Sequence, residues 1–210
     1  AWAAQVRRQC ARWASAGLPL RCVVHRLTTG PTKGQSVEAW ARRERYRALA
    51  AMAREEGADL VLLAHHRQDQ AETVLLQALR GAGPAGLAAM PRCAQREGLH
   101  WCRPWLDRPR AAIEAYVRRH RLSHVDDGSN HDPRYARSRL RQGLWPRLAA
   151  DFPGAEASLA HAARRAQEAA AALEELARID HADCVDDQER LQRQAWCRLT
   201  PARRANLLRH

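Results

Sequence analysis

Apolar residues at Trp2, Val6, Cys10 and Trp13 recur at helical spacing and predict an amphipathic helix over residues 1–16. Residues 20–27, with Cys22, Val23 and Val24, read as a strand, and the polar, Gly/Pro-broken residues 28–35 as a loop. Ser36 suits the cap of a helix running to about residue 56, with Val37, Trp40, Ala41, Ala48, Leu49 and Met52 as its buried face. The run Leu60, Val61, Leu62, Leu63 predicts a buried strand ending near residue 64. A helix then begins near Asp69, with Ala71, Val74, Leu75, Ala78 and Leu79 on one face, and stops at Arg80 and Gly81. Residues 99–106 read as another strand, Pro109 opens a helix through Ala112, Ile113, Tyr116 and Val117, and residues 122–125 form a last short strand. Strands alternating with helices predict a parallel sheet with right-handed crossovers.

Beyond a polar loop at residues 126–133, residues 135–148 read as a helix studded with arginine. Pro153 and Gly154 mark a break. A long Ala-rich helix follows from residue 155 to about 179, then a polar turn and one or two helices, for one of which Thr200 and Pro201 make a good start. The expected organisation is therefore an α/β domain over residues 1–150 and an all-α segment over residues 151–210, without an internal repeat.

The net charge of +12 is unevenly spread. Residues 1–153 hold 26 Lys and Arg against 14 Asp and Glu, whereas residues 154–210 hold nine of each. The basic character belongs to the α/β part and favours a phosphate-rich partner. Lys33 is the only lysine, and arginine suits bidentate phosphate contacts. GC-rich coding accounts for Arg over Lys but not for the asymmetry. No apolar run approaches the roughly 18 residues of a membrane span. Arg7, Arg8 and Arg12 interrupt any signal-peptide core, so a cytoplasmic protein with no membrane partner is the expectation. The six cysteines (Cys10, Cys22, Cys93, Cys102, Cys184 and Cys197) include no C-x-x-C pair and are expected to be reduced and structural.

The candidate chemistry gathers where the strand at residues 60–64 ends. Ligands of open α/β sheets bind beyond the carboxyl ends of the strands, and His65, His66, Asp69 and Glu72 lie at such an end. His65, Asp69 and Glu72 are spaced by four and three, so one junction can present all three to a ligand. The competing reading is structural: Asp69 and Glu72 fit a capping box, and the histidines a wet strand end. Gly81, Gly83 and Gly86 match G-x-G-x-x-G, but they follow a helix rather than opening one, and Pro84 interrupts them, which excludes the dinucleotide fingerprint. Arg137 and Arg141, four apart, share a helical face that suits either a phosphate-bearing ligand or solvent.

Several blocks together resemble the tRNA(Ile)-lysidine synthase family, within the N-type ATP pyrophosphatase (PP-loop) group. His65-His66-Arg67-Gln68-Asp69-Gln70-Ala71-Glu72-Thr73 resembles the family's HHxDDQAET, with Gln68 in place of its first aspartate. Residues 80–90 match RGxGxxGLxxM throughout. Gly34, Ser36 and Glu38, then Ala41, Arg42, Arg45 and Tyr46, resemble GxSxE and ARxxRY. Arg103-Pro104-Trp105-Leu106 with Arg110 resembles RPLL...R, and Asp127, Ser129, Asn130, Asp132, Arg137 and Arg141 resemble DPSNxD....RNxxR, with Gly128 for a proline and Ser138 for an asparagine. The resemblance covers about 150 residues. The group's SGGxDS phosphate loop does not occur, which reads as an N-terminally truncated piece lacking that loop and the strands around it.

The resemblance implies a Rossmann-like, adenine nucleotide alpha hydrolase-like fold, with residues 151–210 as a linker and the start of a tRNA-positioning domain. It implies ATP-dependent ligation of L-lysine to C2 of the wobble cytidine of tRNA(Ile) with a CAU anticodon, through an adenylated intermediate, with ATP and Mg²⁺ required. His65, Asp69, Glu72 and Arg137 are the implied catalytic residues, with Asp69 also a candidate for metal. Arg42, Arg45, Arg80, Gly81, Gly83, Gly86, Arg103, Arg110, Asn130 and Arg141 are the implied ATP- or tRNA-binding residues. Members of the family often pair, so a homodimer is a candidate form. The alternatives are a PP-loop enzyme of tRNA 2-thiolation and a non-catalytic, basic tRNA-binding fragment. The 210 residues alone are expected to bind tRNA weakly and not to hydrolyse ATP.

Overall fold

The structure, a computed structural model, describes residues 2–125 and 132–210. Asn130 and most of the predicted loop at residues 126–133 lie outside the described residues. The chain divides into two compact units, one of Ala1–Asp69 and Arg92–Pro153, the other of Gln70–Pro91 and Gly154–His210. No helix among the described residues is long and apolar enough to cross a membrane.

The first unit opens with α1 (Trp2–Ser15) and α2 (Val37–Glu55). Ser36 caps α2 as expected, its Oγ accepting from the backbone N–H of Ala39 at 3.3 Å. The sheet holds β1 (Leu60–Leu62), β2 (Cys93–Arg96) and β3 (Leu99–Cys102) in the order β1–β3–β2. β1 runs parallel to β3, with Leu62 opposite Cys102, while β2 is antiparallel to β3. The sheet is thus mixed, where the alternation predicted it parallel. A hairpin supplies the extra strand: Glu97 and Gly98 between β2 and β3 both have positive φ, 53° and 79°, as a two-residue type I′ turn requires. Residues 20–27 and 122–125, expected as strands, join no ladder among the described residues. An apolar run becomes a strand only when a neighbour takes up its backbone hydrogen bonds.

Ala50 and Ala53 of α2 pack on Leu99 and Trp101 of β3, with Tyr46, Leu49, Val61 and Leu63 around them. Only the C-terminal half of α2 is buried. Val37, expected inside, is 51% exposed, because strands of three and four residues underlie only part of a helix of 19. Cys93 and Cys102 face each other across β2 and β3 and are joined as a disulfide, against the expectation that all six cysteines are reduced. Antiparallel register brings the two Cβ atoms together, which sequence spacing does not reveal.

After β3 come α5 (Arg110–Arg119), α6 (Ala136–Arg139), a π-helical turn (Leu140–Leu144) and α7 (Trp145–Asp151). The predicted helix over residues 135–148 is therefore real but broken by a π segment, a feature frequent at functional sites.

α3 (Arg67–Ala78) begins in the first unit and continues into the second, which adds α4 (Pro84–Leu87), α8 (Ala155–Cys184), α9 (Arg193–Arg198) and α10 (Pro201–Leu207). Thr200 caps α10, as read from the sequence. Asp180, fully buried on α8, pairs with Arg203, and Cys184, Leu199 and Leu207 form an apolar cluster beside Trp196.

Candidate functional site

Because β1 and β3 run the same way, the residues after them emerge at one edge of the sheet. His65 and His66 follow β1, and Arg103 follows β3, with Leu63 N–H donating to Cys102 O at 2.8 Å to hold the two exits in register. α3 starts at Arg67, earlier than predicted. Asp69 is therefore not the cap. It sits in the first turn, and its Oδ2 accepts from the backbone N–H of His66 at 3.0 Å, the reach-back half of a capping box. Glu72 is fully buried within α3 in the second unit, not a partner in that cap.

Asp69 is the hub. Its Oδ1 accepts from Arg141 Nη2 at 2.7 Å, and its Oδ2 lies 3.4 Å from His66 Nε2. Arg141 stands on the π turn and Arg137 on α6 just before it, so this irregular helix delivers two guanidiniums to the cluster.

His65 is the group most altered by its surroundings. Burial pushes its pKa down to about 4, with Arg103, Arg137 and Arg42 lowering it further while Asp69 pulls the other way. The imidazole is thus neutral at physiological pH. Nδ1 of His65 and of His66 is buried without a hydrogen-bond partner among the described residues, a position that a ligand group can satisfy.

Two further arginines are set by the packing of α2 on the sheet. Arg103 is 3% exposed, and its Nη2 donates to the Tyr46 hydroxyl at 3.4 Å. Arg42 lies over the Tyr46 ring, 5.2 Å from its centroid. The arrangement presents one carboxylate, one neutral imidazole and several guanidiniums at the carboxyl edge of the sheet, a set suited to a phosphate-bearing ligand.

The structure draws His65, Asp69, Arg42, Arg103, Arg137 and Arg141 together. Arg45 is exposed on α2, and Arg110, at the start of α5, pairs with Glu114 at 2.8 Å. Arg80, Gly81, Gly83 and Gly86 belong to the second unit. There Gly81 has φ of +71°, and a Cβ on Gly86 would come within 2.5 Å of Ala82 Cβ, so this turn demands glycine at both places. Gln70 and Gln167 were not singled out in the sequence, yet they pin this segment. Gln70 exchanges two hydrogen bonds with the backbone of Met90, at 2.8 and 3.0 Å, and Gln167 donates to Ala88 O and Met90 O. A glutamine amid the apolar positions of a helix was the available signal.

No cluster of three or more His, Cys, Asp or Glu able to hold a metal occurs among the described residues. Asp69, the one metal candidate named from the sequence, accepts from Arg141 and from the backbone N–H of His66.

The family profile of the PP-loop domain matches residues 1–148. The chain is 45% identical over 215 residues to the tRNA(Ile)-lysidine synthase of Bordetella parapertussis, covering all of this chain and 61% of that protein. It is 51% identical over 172 residues to that of Ralstonia nicotianae (81% of this chain, 36% of the other) and 42% identical over 218 residues to that of Pseudomonas aeruginosa (99% and 47%). The chain thus spans about three fifths or less of the length of these curated relatives. Among solved structures, the U34-tRNA thiolase NcsA from Methanococcus maripaludis superposes with a TM-score of 0.60 at 16% identity, over 77% of this chain and 56% of that one, which is a likeness of fold. With its α/β architecture and a profile match over most of its length, the chain belongs to the PP-loop domain family and has that family's Rossmann-like, nucleotide-hydrolase-type fold.

Proposed function

We propose that this chain carries the catalytic domain of a tRNA(Ile)-lysidine synthase, a carbon–nitrogen ligase, over residues 1–150, with residues 151–210 as linker and start of a tRNA-positioning domain. The observation that supports it most is the neutral His65 beside Asp69 and ringed by Arg42, Arg103 and Arg137, in a chain 45% identical to such a synthase. In the first step the C2 oxygen of the wobble cytidine attacks the α-phosphorus of ATP and pyrophosphate leaves. In the second the lysine amine attacks C2, gives up a proton, and AMP departs. Arg42, Arg103 and Arg137 offset the phosphate charge that develops in both steps. His65, uncharged, lies near the adenylated intermediate. Asp69 addresses the lysine amine and is held in place by Arg141, while Glu72 is a second carboxylate that turnover requires. Arg80 with Gly81, Gly83 and Gly86 shapes the wobble pocket, and Arg45, Arg110 and Asn130 extend the contact with tRNA or ATP.

Mg²⁺ is held in many nucleotide enzymes by one or two carboxylates plus the phosphates. Here it would arrive with the triphosphate and offset part of its charge, with Asp69 the candidate carboxylate. The proposal extends to L-lysine as the amine donor, a cytoplasmic location and a homodimer.

The test is the identity of the product. The protein at its natural length is incubated with ATP, L-lysine, sulfide as a sulfur donor and a tRNA(Ile) transcript bearing CAU, and the nucleosides are analysed by mass spectrometry. A wobble cytidine heavier by lysine less water is the expected result. Addition of sulfur points to a thiolation enzyme, and unmodified tRNA that is nonetheless bound points to a non-catalytic module; either overturns the proposal.

A further inference from the structure

Two of the arginines ringing His65, Arg42 and Arg103, are themselves held by a side chain to which neither the motif reading nor the reaction assigns a role. Tyr46 sits on α2, where its ring packs on Trp101 of β3 with centroids 5.0 Å apart and planes inclined at 30°. That contact belongs to the main apolar cluster of the first unit, so the ring is fixed by the core. On one side the Arg42 guanidinium lies over the ring, 5.2 Å from the centroid. On the other, the hydroxyl accepts from Arg103 Nη2 at 3.4 Å.

We infer that Tyr46 is a positioning residue, one rigid side chain that spaces the guanidiniums of Arg42 and Arg103 for a polyphosphate ligand without adding a negative charge of its own. The physics favours an aromatic phenol here. A carboxylate in its place would hold both arginines more strongly but would neutralise them before any phosphate arrived. The negative face of the ring and the neutral hydroxyl orient two cations without cancelling them. Arg42 and Arg103 are also two of the three cations that act on His65, so the state of the imidazole reports where they stand.

The inference rests on reading this cluster as a nucleotide site, and the experiment separates the two. Tyr46→Phe keeps the ring and removes the acceptor; Tyr46→Leu removes both. In the protein at natural length, Tyr46→Phe raises KM for ATP about threefold and Tyr46→Leu about tenfold or more, with a larger effect on KM than on kcat, in keeping with one or both of these contacts being lost. Independently of any ligand, the His65 ring proton is followed by NMR against pH, assigned with His65→Ala. Its pKa rises from about 4 in Tyr46→Leu, with Tyr46→Phe between the two. Should Tyr46→Leu fail to fold, the Phe variant decides alone. Unchanged KM and unchanged His65 titration in the folded variants overturn the inference. A wild-type protein that binds no ATP overturns the nucleotide reading instead, while the ordering of the His65 titrations still decides whether Tyr46 places the cations.

Discussion

Among the site residues, a single histidine is the one most altered by its surroundings. His65 titrates near 4 because burial and neighbouring guanidiniums disfavour its charged form, against about 6.5 for a histidine in an unfolded chain. Between those values the unfolded chain binds a proton that the native chain refuses. The contribution of His65 to native stability is therefore fully present above about pH 6.5 and is lost as pH falls toward 4. Urea unfolding at pH 7.5 and at pH 5 should show a larger loss of stability in the wild type than in His65→Ala; equal losses contradict the assignment. Asp69 and Arg141 form the other residue-scale dependence. Their side chains are 11% and 24% exposed, so the pair is neither a surface bridge nor wholly buried. Arg141→Met leaves Asp69 with less compensation and should cost about 1–3 kcal/mol, with a favourable coupling energy in a double-mutant cycle with Asp69→Asn.

Elements show why some of this was readable and some was not. Caps at Ser36 and Thr200, the Pro109 helix start and the long helix after Gly154 follow from local chemistry, and all are present. The β2–β3 hairpin was hidden because Glu97-Gly98 is a weaker turn signal than Asn-Gly and its flanks do not alternate. The π turn was hidden because its sequence differs little from that of an α-helix. The start of α3 was misplaced by two residues because Asp69 satisfies the cap chemistry from the first turn as well as from the cap position. Shape complementarity that no pattern encodes appears at Gly86, whose absent Cβ leaves room for Ala82. Gly86→Ala should destabilise the second unit by about 1–3 kcal/mol, measured as a lowered midpoint in chemical unfolding, since backbone must shift to admit the methyl group.

At the scale of the molecule, the α/β class was legible from the alternation of strands and helices, and so was the placing of His65 and Asp69 beyond a strand end, whereas the gathering of Arg42, Arg103, Arg137 and Arg141 around them was not, since it depends on how helices pack at that edge. The sheet's mixed direction and the Cys93–Cys102 link were not, since both depend on which strands become neighbours. The excess of arginine in residues 1–153 is only partly offset locally, by pairs such as Arg54 with Glu97 and Arg47 with Glu44. Binding to tRNA should accordingly weaken steeply and linearly in log–log form as salt rises, and a flat dependence would contradict a phosphate-led contact. The most direct test of the account is lysidine formation by His65→Ala, Asp69→Ala, Glu72→Ala and Arg137→Ala, made in the protein at natural length and checked for native circular dichroism. The expected result is folded proteins that leave the wobble cytidine of tRNA(Ile) unmodified; folded variants that turn over at the wild-type rate would contradict these roles.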